Sequence, residues 1–475
     1  MSETKSETKR GSFTSSIGFI LAAAGSAVGL GNLWRFPYLA AKDGGGLFLV
    51  VYLILALTFG FALMTTEIAI GRKTRKSPLT AYGAIDPHFK WLGWVAGIVP
   101  TLILPYYCVI GGWVCKYAVT YLSGNGMTAA DPTGGFFHNV IGAGDAVSAA
   151  PIIWLVIYVV ATAIIVYFGV EKGIENFSKV LMPILLVLIV GIAAYSITLK
   201  DPESGRTALQ GLKIYLVPSF KGMTVPKFFG VVLDAVSQLF YSLSLAMGIM
   251  ITYGSYMKKE STMSKSVNRI EIFDTFIAFM AGFIMVPAVF CFLGNDGLTA
   301  AGPSLMFIAL PQVFASMGFM GHIIGSAFFI LVIFAALTSS VSIMEAVVSM
   351  LMDKFKLSRH TSCLIVTAVT LVLGVVTCLG YNAFYFEATF ASVVKGQILD
   401  IFDWFTNYLL MPIVAIATCV LIGWVAGTDK VVDEVKLGGK DFKREKLYVV
   451  MTKYVSPILH FLILLSSFGV FNFLG

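Results

Sequence analysis

The residues of this chain that could do chemistry are acids, amides and hydroxyls set inside long apolar runs. Asp274 lies in the run 270–293, Glu67 in 46–70 and Glu345 in 322–353. A carboxylate at membrane depth is expensive, so it marks a functional position by default. A cation beside it would keep it ionised. Asp274 has a plainer alternative, a place near the end of its span solvated with Arg269 and Glu271. For Glu67 and Glu345, packing against polar partners is as open as function. Two further runs crowd small and polar residues at their middles. The first, ILAAAGSAVGLGNLWRFPYLAA, carries Gly25, Gly29 and Gly31 with Ser26 and Asn32, then Arg35 and Pro37. The second, DAVSQLFYSLSLAMGIMITY, carries Ser237, Gln238, Ser242 and Ser244, with Gly248 close by. Glycine lowers the cost of unwinding a helix. Backbone freed from helical hydrogen bonds at membrane depth is tolerated only where it lines a cavity. The alternative use of such residues is close helix–helix packing.

The elements that must position these groups follow from composition. Of 475 residues, 57% are hydrophobic and 12% charged, against about 25% charged in an ordinary soluble domain. Lipid is therefore the solvent for most of the chain. The net charge of +7 does not point to nucleic acid, because the basic residues sit in short loops between apolar runs. Spans of about 20 apolar residues predict an all-α integral membrane protein of eleven transmembrane helices. Their ranges are 16–41, 46–70, 91–121, 150–169, 178–198, 230–256, 270–293, 322–353, 361–379, 396–425 and 450–474. With the N-terminus inside, the inside segments hold 24 of the 33 lysines and arginines and the outside loops hold 6. That asymmetry predicts a cytoplasmic N-terminus and an extracytoplasmic C-terminus. The polar start MSETKSETKRGSFTSS predicts no cleaved signal peptide, and the last span, running to Gly475, predicts no further domain.

The two crowded helices fall at the same position in two five-helix halves, which points to a transporter with inverted repeats and a midplane site. The expected division is 1–12 cytoplasmic tail, 13–198 first repeat, 199–229 extracellular loop, 230–425 second repeat, and 426–475 cytoplasmic loop and helix eleven. An enzyme is disfavoured. His88, His138, His322, His360 and His460 are scattered, and no zinc pair, nucleophile motif or phosphate loop occurs. All six cysteines lie in apolar segments without metal-ligand spacing and read as small buried residues. A channel would need a continuous pore.

The run GSAVGLGNLWRFPYLAAKDGGGLF, Gly25 to Phe48, resembles the first-helix signature of the neurotransmitter:sodium symporters. EIAIGR (Glu67 to Arg72), Tyr106-Tyr107, SQLFYSLSLAMG, AALTSS (Ala335 to Ser340) and FDWFTN are similar to further motifs of that family. The likeness covers nearly the whole chain. It departs in span number, since many members have twelve, although bacterial members with eleven are common. The resemblance implies a 5+5 inverted repeat of the LeuT type plus one C-terminal helix. It also implies sodium-coupled uptake of an amino acid by alternating access, in a bacterial or archaeal plasma membrane. The runner-up is a proton-coupled transporter of the same fold, because Asp274 and Glu67 could titrate.

The resemblance carries family roles onto particular positions. One sodium site maps onto the carbonyls of Gly25, Val28 and Ala335 and the hydroxyls of Thr338 and Ser339. For Thr338 and Ser339 the alternative is bonding back to their own helix. The other site maps onto Ala27 carbonyl, Asn32, Ser242 and Asp274, the last replacing the family's usual asparagine. Such oxygens suit a hard cation. The substrate pocket maps onto Ser26, Leu30, Gly31, Ile103, Tyr107, Tyr241, Ser242, Ser244, Met247 and Ile343. Gly29 occupies the place where monoamine-transporting relatives carry an aspartate, which implies a substrate with its own carboxylate. Arg35 with Asp403 match the extracellular gate, Tyr107 and Tyr241 its aromatic lid, and Arg10 with Asp353 the cytoplasmic gate. Gly173 and Pro183 resemble a helix-five unwinding motif. Chloride-dependent relatives balance the sodium charge with a bound anion, and many bacterial members replace it with a glutamate where this chain has the neutral Ala278. Asp274, at the sodium-ligand position itself, can do the anion's work directly, so no chloride is expected to be required. The expected partners are a hydrophobic or aromatic L-amino acid, two sodium ions and the lipid bilayer. No nucleic acid is expected, and the oligomeric state stays open.

Overall fold

The structure is a computed structural model that describes residues 11–144, 148–390 and 394–471. It is almost wholly helical, which lets backbone amides in lipid find carbonyls within their own segment. Nine described helices are long and apolar enough to cross a bilayer: Gly46–Thr74, Pro87–Leu122, Ala150–Tyr167, Val170–Ser196, Met263–Gly297, Phe319–Phe355, Arg359–Leu379, Ile398–Val425 and Glu445–Ser467. Ser16–Ala27 and Gly31–Lys42 supply a tenth crossing if counted as one span, bent by 56°. The expected eleventh is the sixth apolar run. It folds as Val225–Ser242 and Ile249–Tyr256, separated by non-helical residues 243–248, and is not among those ten.

Several helices outrun the apolar stretches that announced them. The fifth begins at Val170 rather than 178, and the seventh covers Met263–Gly297 rather than 270–293. Charged residues end an apolar run, but they do not end a helix whose tip protrudes from the bilayer. The segments expected as loops also carry structure. Ala208–Leu216 lies in 199–229 and Leu305–Ser316 in 294–321. Ala388–Phe390 pairs with Val394–Gly396 as a small antiparallel hairpin in an otherwise helical chain. Five of the six cysteines are buried, Cys115 is partly so, and all are free thiols.

Glycine has a packing use as well as an unwinding one. A Cβ on Gly71 would lie 1.9 Å from the Ile251 carbonyl, and one on Gly254 would lie 2.4 Å from that of Ile68. These two glycines bring the second helix and the second half of the sixth into backbone contact, as small residues do between membrane helices. Glu345, left open by the sequence, resolves as structural. Its carboxylate pairs with Arg359 at 2.7 and 2.8 Å and accepts from Tyr256 hydroxyl at 2.6 Å. The buried Arg72 pairs in the same manner with Glu434 at 2.7 Å.

Candidate functional site

The site begins with two broken helices. In the first segment the helix stops at Ala27, Val28 turns extended (φ −73°, ψ 97°), and helical structure resumes at Gly31. In the sixth segment Ser244 (φ 52°), Ala246 (φ 59°) and Gly248 (φ 73°) lie in the left-handed region. For the two residues with side chains this costs about 1–2 kcal/mol each. Specific bonds hold the strain in place. Glu67, fully buried, accepts the Ala246 amide at 2.7 Å. Ser244 hydroxyl donates to the Ser26 carbonyl at 2.9 Å, and Gln238 amide to that of Gly31 at 3.1 Å. The two breaks thus fasten each other, and Glu67 has a definite task that the sequence left undecided.

Between the breaks lies a small cavity of about 30 Å3. All ten residues mapped to the substrate pocket line it, from Ser26 to Ile343, together with Ala27, Gly29, Asn32 and Ser339. The walls contributed by Ile103, Tyr241, Met247 and Ile343 are apolar or aromatic. Tyr107 hydroxyl is buried at the same place, next to the Ser339 side chain and the Leu30 backbone. A tyrosine hydroxyl both donates and accepts, so it can also bond to a group that enters the cavity. Beside it, a Cβ on Gly29 would sit 3.3 Å from the Tyr107 oxygen and 3.0 Å from Ser339 Oγ. Any larger side chain there would take the space. Leu30 and Gly31, where helical structure resumes, line the same cavity, and the free amides that open a helix favour an anion.

Two oxygen clusters flank the cavity. In one, Asn32 Nδ2 donates to Ser242 Oγ at 2.9 Å and to Asp274 Oδ1 at 2.8 Å, and Ser242 Oγ donates to the same carboxylate oxygen at 2.8 Å. Asp274 is fully buried, which removes the alternative of a loop-solvated acid. Tyr52 hydroxyl adds a bond to Asp274 Oδ2 at 3.4 Å. Sequence reasoning missed Tyr52, because a tyrosine in an apolar run reads as aromatic packing. In the other cluster Ser339 Oγ lies 3.5, 3.1 and 3.2 Å from the carbonyls of Gly25, Ser26 and Val28. Thr338 hydroxyl bonds back to its own helix, at 3.0 Å to both Phe334 and Ala335 carbonyls. A Cβ on Gly25 would meet Thr338 Cβ at 3.1 Å, so the first and eighth helices touch here. Both clusters offer the hard oxygens that an alkali cation takes. Among the described residues no group of three or more His, Cys, Asp or Glu could hold a metal ion.

The expected gate residues are placed as follows. Arg35 donates to Ser237 Oγ at 3.0 Å. Asp403 accepts from Tyr106 hydroxyl at 3.3 Å and from Asn407 Nδ2 at 2.6 Å. The two share no ion pair among the described contacts. Asp353 accepts the Ser77 amide at 2.5 Å, while Arg10 lies outside the described residues. Gly173 sits in the first turns of the fifth helix, where a Cβ would lie 2.0 Å from the Ile165 carbonyl, and Pro183 lies inside that helix.

Two broken helices around a central cavity are the arrangement of a solute transporter, and comparison with known proteins gives the family. The model of the sodium:neurotransmitter symporter family matches residues 10–128 and 127–474. A sodium-dependent transporter of Methanocaldococcus jannaschii is 35% identical over 90% of this chain and 86% of its own length. One from Bacillus subtilis is 31% identical over 98% and 100%. The crystal structure of MhsT in complex with L-phenylalanine shares 35% identity and superposes with a TM-score of 0.83 over 96% of this chain and all of MhsT. The chain belongs to the sodium:neurotransmitter symporter family. It is a sodium-dependent membrane transporter of a small solute, not an enzyme.

Proposed function

We propose that the protein takes up an apolar or aromatic L-amino acid with two sodium ions, by alternating access and without chloride. The carrying observation is the buried hydroxyl of Tyr107 beside Gly29, a position where any side chain would fill the space between Tyr107 and Ser339. A substrate carboxylate would accept from that hydroxyl and from the half-helix amides near Leu30 and Gly31. The ammonium would meet carbonyls near Ser26, Tyr241 and Ser242. Ile103, Met247 and Ile343 would surround the side chain, and a flexible methionine accommodates bulk. That MhsT is seen with L-phenylalanine supports the same substrate class.

One sodium ion would lie among Ala27 carbonyl, Asn32, Ser242, Asp274 and the substrate carboxylate. The other would lie among the carbonyls of Gly25, Val28 and Ala335 with Thr338 and Ser339. Ala278, one turn beyond Asp274, is neutral. The Asp274 charge would balance the ion in place of an anion. Arg35 with Asp403 and Arg10 with Asp353 would close the two ends in turn, with 13–198 and 230–425 moving as inverted halves. The distribution of lysine and arginine supports a cytoplasmic N-terminus, and the likeness to bacterial and archaeal transporters supports a place in the plasma membrane.

A binding screen of the twenty amino acids, with sodium and with potassium at constant pH, tests this reading. Sodium-dependent binding of large apolar amino acids is expected. Equal binding in potassium would favour proton coupling. Tryptamine, which lacks the carboxylate, should compete far more weakly than tryptophan; equal competition would overturn the role given to Gly29.

A further inference from the structure

The extracellular loop 199–229 breaks the charge pattern of the rest of the chain. Of the six lysines and arginines assigned to outside loops, five lie here: Lys200, Arg206, Lys213, Lys221 and Lys227. Arg206 is occupied structurally, donating to the carbonyls of Cys291 and Phe292 at 3.1 and 2.9 Å. Lys213, Lys221 and Lys227 instead line a cavity of about 870 Å3 at the ends of the first, sixth and last segments. All three are exposed, and no side-chain ion pair or hydrogen bond joins them to the described residues. The two acids of this cavity are already engaged, since Lys42 Nζ lies 2.7 Å from Asp234 and 3.9 Å from Asp43. The cavity therefore carries a surplus of positive charge.

Its walls are apolar as well, with Ile214, Val217, Met223 and Phe229 among them. Beside it Phe220 and Val225 are 65% and 85% exposed. Large apolar side chains so exposed at the ends of membrane helices belong in the lipid interface rather than in water. A soluble anion would need the lysines but not the greasy walls. We propose that this cavity binds an anionic phospholipid, with its phosphate on Lys213, Lys221 and Lys227 and its glycerol and upper acyl chain against the apolar wall. On the orientation proposed above that lipid would belong to the outer leaflet, and only this assignment of leaflet rests on that orientation.

The test is photo-crosslinking of the full chain in nanodiscs, with a diazirine-bearing phosphatidylglycerol or phosphatidylethanolamine and peptide mapping. Nanodiscs present both leaflets alike, so the result does not depend on orientation or on transport. Phosphatidylglycerol should label peptides within 208–234 about tenfold more than phosphatidylethanolamine does. The K213Q/K221Q/K227Q variant should lose that preference while labelling of the peptide around Val187, 72% exposed on the fifth helix, is unchanged, which also reports that it folds. Equal labelling by the two lipids, or full labelling of the variant, would overturn the proposal. Loss of wild-type labelling in inorganic phosphate at constant ionic strength would also overturn it, by assigning the cavity to a soluble anion.

Discussion

Around Asp274, side chains from the first, second, sixth and seventh helices meet on one carboxylate. Around Ser339, one hydroxyl from the eighth helix faces a row of backbone carbonyls at the break of the first. The first cluster is built from side chains and carries a formal charge. The second is built from backbone dipoles and is neutral. A unit charge about 4 Å from sodium is worth about 4 kcal/mol at an effective dielectric near 20, whereas one neutral hydrogen-bonding group contributes about 1 kcal/mol. The charged cluster should therefore govern whether the ion binds at all. The neutral one should depend on the first helix remaining broken and seated against the eighth.

Substitutions can break this contrast. The largest effect is expected for Asp274→Asn, which keeps the shape and removes the charge. Its sodium requirement should rise by about 100-fold or more, or uptake should become responsive to added chloride. Sodium titrations of uptake with and without chloride measure this. Normal chloride-free transport by that variant would move the compensating charge elsewhere, with Glu67 the next candidate. Ser339→Ala removes one neutral ligand and should raise the sodium concentration for half-maximal uptake by about fivefold.

Thr338→Ala should do less than Ser339→Ala, because the Thr338 hydroxyl is turned to its own helix. Equal losses would mean that Thr338 rotates to the ion. The double variant T338A/S339A should weaken sodium dependence sharply, and unchanged sodium activation would remove this site. The smallest change is expected from Met247→Phe. It should leave sodium activation intact and shift preference toward smaller aliphatic amino acids, read by competition among leucine, valine and phenylalanine. An unshifted order would take Met247 out of the substrate pocket.

The same contrast explains what was legible in the sequence. Asp274 announced itself because a carboxylate in an apolar run has no cheap explanation. The breaks at Gly25–Gly31 and Ser242–Gly248 were legible from the glycines and polar residues that disfavour an unbroken helix there. The partners that make those breaks affordable were not. Nothing in the residue type of Glu67 says that it takes the Ala246 amide, and nothing in Glu345 says that it meets Arg359 instead. Tyr52 was invisible for the same reason, since its hydroxyl matters only after the second and seventh helices pack. Ser339 and Thr338 are neighbours with similar side chains, and only the helix rotation decides that one faces carbonyls of another segment. Helix ends were also misread where polar tips continue the helix beyond the apolar run, as at Val170 and Met263.

The central claim is that the chain carries its own counter-charge for sodium. It is tested most directly by amino-acid uptake into proteoliposomes in sodium gluconate against sodium chloride, with wild-type protein. Equal initial rates in the two salts are predicted. A rate that collapses in gluconate would contradict the account, because an external anion would then be doing the work assigned to Asp274.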